Sequence, residues 1–75
     1  MTVKNKESSD YVIEFIGDRD NVVRISVTNG KTHVYALTRV AEFIIKNNVR
    51  EIRILKCKNY VCDEVITKIK VIGID

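Results

Sequence analysis

Hydrophobic and polar positions alternate in two early stretches of the chain. From Tyr11 to Ile16, Tyr11, Ile13 and Phe15 can take one side and Val12, Glu14 and Ile16 the other. That period of two is the pattern of a half-buried strand. From Val22 to Thr28 it recurs, with Val23, Ile25 and Val27 alternating against Arg24, Ser26 and Thr28. Gly17-Asp18-Arg19-Asp20-Asn21 lies between them and has the composition of a turn, so the two strands should form an antiparallel hairpin. The period then lengthens. Val34, Leu37, Val40, Ala41 and Ile44 recur at helical spacing, and Asn47-Asn48 can close the last turn. Alternation returns through Ile52 and Ile54, which predicts a third strand over Val49 to Cys57.

Two junctions admit two readings each. Asn29-Gly30 between alternating apolar residues signals a type I′ hairpin, which would make Lys31 to Tyr35 a strand. The continuous stripe beginning at Val34 favours a helix instead, starting near Thr32 as N-cap. Beyond Asn59, a short second helix would place Val61, Val65 and Ile69 inward, with Asp63 and Glu64 near its positive end. A strand would follow, over Ile69 to Ile74. The rival reading makes all of Val61 to Ile74 a strand paired with Glu51 to Cys57, in keeping with its β-branched residues. The expected fold is α+β: a two-layer sandwich in β-β-α-β-α-β order, with a small mixed sheet and two helices packed on one face. Residues 1–10 read as a flexible polar lead and residues 11–75 as a single domain.

Length changes the picture of stability. A 75-residue chain buries only about 60% of the surface its unfolded form exposes, which makes association with a second copy attractive. Hydrophobic residues at 45% and charged residues at 31% fit a globular protein rather than a disordered one. No apolar run is long enough to span a bilayer, and Met1 to Asp10 lacks the apolar core of an export signal. A cytoplasmic, intracellular chain is therefore expected.

Net charge is +3, and its distribution says more than its size. Lys31, Arg39, Lys46, Arg50, Arg53, Lys56 and Lys58 face only Glu42 and Glu51 over that span. In a βαβ crossover with parallel strands, both strands leave the sheet at the same edge. Lys31, Lys56 and Lys58 would then share one rim, where a polyanion could be met.

Catalytic chemistry finds no support in the pattern. Gly30-Lys31-Thr32 mimics the end of a phosphate-binding loop, but the glycine needed five residues before Gly30 is Ile25. His33 is the only imidazole, and nothing brings it to a nucleophile. With one histidine and two cysteines a four-ligand zinc site is not expected, nor is a disulfide scaffold; Cys57 and Cys62 read as free thiols. No enzyme activity, cofactor, metal or small-molecule substrate is expected.

The chain resembles the Alba family of small dimeric nucleic-acid-binding proteins. The resemblance rests on Arg24-Ile25-Ser26, Gly30-Lys31, Tyr35, Glu51-Ile52 and Lys56, followed by the apolar positions Val61, Cys62, Val65 and Ile66. It covers residues 22–69. The family's Gly-Arg pair before the second helix is replaced by Asn59-Tyr60, and one strand is expected up to Asp75 where the family has a long β-hairpin. The resemblance implies Lys31 as a basic contact before the first helix, and Lys56, Lys58 and Asn59 before the second. Arg53 adds to the positive field, and Tyr60 could stack on a base. The expected function is a sequence-tolerant DNA- or RNA-binding homodimer that sets loop lysines against phosphates. The alternative is a protein-interaction or regulatory module. Tyr35, Phe43 and Ile45 widen the helix's apolar face and would form the dimer or partner interface.

Overall fold

The computed structural model describes residues 9–71, so the expectation for the polar lead falls largely outside the described residues. The elements are β1 (Tyr11–Gly17), β2 (Val22–Val27), α1 (Val34–Lys46), β3 (Val49–Lys58) and β4 (Val61–Lys70). They form one four-stranded sheet in the order β2-β1-β3-β4, with every neighbouring pair antiparallel. This corrects the expected fold in two respects. The order is β-β-α-β-β with one helix rather than two, and the sheet is antiparallel throughout rather than mixed. Strands β2 and β3 do run parallel to each other, but β1 is inserted between them.

The second helix expected after Asn59 is replaced by β4. Asn59 and Tyr60 both have positive φ (52° and 68°), as the two central residues of a type I′ turn must. The turn sends the chain straight back along β3, from Lys58 opposite Val61 to Glu51 opposite Lys70. Val61, Val65, Ile66, Thr67 and Ile69 are β-branched and give up χ1 freedom in a helix, while the neighbouring β3 supplies a ladder. Two register shifts, at Ile54/Leu55 and Lys56/Cys57, accommodate extra β4 residues.

Asn29-Gly30 also forms its turn, with φ of 56° and 73°, and Thr28 and Lys31 exchange backbone hydrogen bonds of 2.9 and 3.0 Å. The hairpin ends at that single bridge. Helix α1 starts at Val34, with His33 rather than Thr32 as its cap: His33 Nδ1 accepts from the Tyr35 amide at 3.1 Å. The Thr32 hydroxyl instead donates to the Ser26 carbonyl at 2.9 Å, tying the loop back to β2.

α1 packs on one side of the sheet, over β2 and β1. Val23, Ile25 and Val40 are the buried centre, with Ile13, Phe15, Ala36 and Phe43 packed around them. At the helix C-terminus the Asn47 amide donates to the Phe43 carbonyl at 2.8 Å. There Gly17 brings β1 close to the helix: a Cβ at Gly17 would lie 3.2 Å from both Asn47 and Phe43. The core is small. Among the described residues no side chain is fully buried, and β3 and β4 have no helix above them.

Candidate polyanion-binding surface

Because β2 and β3 run the same way, the segments that follow them emerge at the same end of the sheet. Val27, Tyr11 and Lys56 lie side by side across β2, β1 and β3, which sets Val27 and Lys56 about 10 Å apart. The Cys57 amide donates to the Asp10 carbonyl at 2.9 Å at the same end. Lys31, Lys56, Lys58, Asn59 and Tyr60 therefore share a rim, all of them exposed. The rim is not positive, however. Asp10 lies in it, with Oδ2 accepting from the Asn29 amide at 2.7 Å. Glu64 is directly opposite Lys56, and Asp63 is its neighbour. Among the described residues three lysines meet three carboxylates there, which balances the field the lysines were expected to build. Asn59 and Tyr60 form the hairpin turn rather than the start of a helix, so no helix N-terminal amides are offered beside them.

Arg53 is not part of this rim. Residues alternate faces along a strand, so Arg53 points to the side opposite α1, where among the described residues no second layer packs. One row on this open face runs Arg24, Glu14, Arg53, Lys68 across all four strands. The next row runs Val22, Ile16, Glu51, Lys70. Among the described residues of these two rows four cations thus meet two carboxylates, a surplus of two positive charges. Sequence reasoning missed Arg24, Lys68 and Lys70 as a group. The signal was present in the alternation, but it needed the strand order to align.

The two carboxylates organise the arginines. Glu14 is 9% exposed and accepts from Arg24 Nε at 2.6 Å. Glu51 accepts from Arg53 Nε at 2.7 Å. That hydrogen bond holds the Glu51 carboxyl below its usual range; partial burial opposes it, and the charges of Arg53, Lys68 and Lys70 reinforce it. The same bond raises Arg53 further, with Glu51 and Glu14 adding to the effect, so its guanidinium stays charged. Lys68 and Lys70 make no ion pair among the described residues.

The expected interface residues are dispersed. Phe43 turns inward onto the core, whereas Tyr35 and Ile45 are exposed. Along α1, Arg39, Glu42 and Lys46 flank the groove against β2, while Leu37 and Ile44 take the opposite flank, toward β3. On that side Tyr11, Ile13, Val27, Ile54 and Ile66 line a shallow apolar recess.

Cys57 and Cys62 are bonded to each other, which corrects the reading of two free thiols. The type I′ turn makes them cross-strand partners with Cα atoms 3.9 Å apart. A helix over Val61 to Ile69 would have separated them, so the bridge was hidden by the same ambiguity that hid β4. Such a bond persists in oxidising compartments and is rare in reducing ones. No helix among the described residues is long and apolar enough to cross a membrane. Comparison with known proteins adds nothing to this geometry: no family model matches the chain, and neither a curated protein nor a solved structure is similar to it.

Proposed function

We propose that the protein binds the phosphate backbone of nucleic acid on the open face of its sheet. The observation that carries this reading is the group of Arg24, Arg53, Lys68 and Lys70 on two adjacent rows, contributed by three strands against Glu14 and Glu51 among the described residues. This moves the expected site from the loop rim to the sheet. An extended array of cations on a solvated face suits an extended polyanion, because each neutralised phosphate releases condensed counterions. Among the described residues the face carries no aromatic side chain for base stacking, so contact is with phosphates and sequence preference is slight. Arg24 and Arg53 are held in place by carboxylates, whereas Lys68 and Lys70 are available to a ligand.

The test is fluorescence anisotropy of labelled single- and double-stranded oligonucleotides. With Lys68 and Lys70 as the two free contacts, affinity for duplex should fall about tenfold between about 50 and 200 mM salt. Lys68→Glu with Lys70→Glu should abolish binding. Glu51→Gln should strengthen it, because Arg53 is then free to meet a phosphate. Binding that ignores salt, or that survives the double charge reversal, would sink the proposal.

A further inference from the structure

The helix side of the sheet is half covered and half bare, and we infer that a second copy of this chain occupies the bare half. In this arrangement two copies pack face to face about a two-fold axis. Each α1 lies between its own β1 and β2 and the uncovered β3 and β4 of its partner.

Three observations support that occupant over any other. The first is the helix. Ala36 and Phe43 pack with buried Val40 against the chain's own sheet, yet Val34 and Ile45 project away from it, 73% and 83% exposed. Leu37 and Ile44 are about half exposed on the flank toward β3. Only the flank carrying Arg39, Glu42 and Lys46 is charged. A helix whose apolar side chains extend from the sheet around to Val34 and Ile45, well past the stripe its own sheet covers, has more apolar surface than one layer can bury.

The second is shape. The ridge formed by α1 stands beside the recess above Ile54 and Ile66, and Ile69 extends the bare surface along β4. One two-fold rotation sets each ridge into the other copy's recess, which is how an isologous interface closes without leaving an open end. The charged flank of α1 stays at the periphery, so no unpaired charge is buried.

The third is area. Val34, Leu37, Ile44, Ile45, Ile66 and Ile69 together expose roughly 600 Å², about three quarters of the ~800 Å² per partner of a standard interface. A chain with no fully buried side chain among its described residues needs that surface to complete a core. Both open faces remain outward in this arrangement, so the inference does not depend on phosphate binding.

Sedimentation over a range of concentrations provides the test, read on the unaltered chain and on Ile45→Glu. The unaltered chain should sediment at twice its 8.6 kDa mass. Ile45→Glu should weaken association at least about 30-fold with its far-UV circular dichroism unchanged. In a mixture of unlike-labelled copies, isotope-filtered NOEs should connect Ile45 methyls of one chain with Ile66 and Ile69 methyls of the other. These NOEs come from the unaltered protein and decide the matter even if the variant unfolds. A single-chain mass at every concentration overturns the inference. So do intermolecular NOEs that join β4 backbones, because they would mean pairing along the sheet edge.

Discussion

Opening the Cys57–Cys62 bridge, by reductant or by Cys57→Ser with Cys62→Ser, should weaken the fold by a calculable amount. The bridged residues are five apart in sequence and close a six-residue loop. In the chain-entropy treatment, closing so short a loop restricts the unfolded state by about 7 cal/mol/K, or about 2 kcal/mol at 25 °C. The effect should fall unevenly. β4 is an edge strand that pairs only with β3, and most of its side chains are exposed. β1, in contrast, is held between two neighbours. Loss of the bridge should therefore free β4 first. Urea titration of oxidised and reduced protein would show it: with a slope of about 1 kcal/mol/M for so small a domain, the midpoint should drop by about 2 M. Hydrogen exchange should then show β4 amides losing protection before those of β1. The pairing is checked separately by alkylation and intact mass, where the oxidised protein should take up no label without reductant. Two reactive thiols after oxidative refolding, or an unchanged urea midpoint on reduction, would refute the reasoning.

Three other outcomes follow from local geometry. Glu51 should make stability fall in acid: its folded carboxyl titrates below the 4.5 of a free one. Its contribution is complete above that value and lost as pH drops through the lowered one. Glu51→Gln should accordingly flatten the acid limb of a plot of urea midpoint against pH. Gly17→Ala should destabilise by about 1–2 kcal/mol, since the added methyl meets Phe43 and Asn47 at 3.2 Å where helix and β1 converge; thermal denaturation would read this. Tyr60→Gly should stabilise by about 1 kcal/mol, because Tyr60 holds a left-handed conformation at φ 68° that glycine adopts without penalty. An unchanged or lowered melting temperature would count against the type I′ turn.

Local periodicity by itself determined much of the secondary structure. Alternation in Tyr11 to Ile16 and Val22 to Thr28, the turn residues between them, and the helical stripe from Val34 to Ile44 are short-range properties, readable wherever the rest of the chain goes. The Val61 to Lys70 segment was different, since its β-branched residues tolerate a helix and its true state depended on whether β3 was there to pair with. Tertiary structure alone decided that β1 lies between β2 and β3, that the two cysteines face each other, and that Arg53 joins Arg24, Lys68 and Lys70. It also placed Asp10, Asp63 and Glu64 among the rim lysines. The physical reason is that strand order and register are set by contacts between residues far apart in the chain. The side chains on either face of a sheet become neighbours only once that order exists.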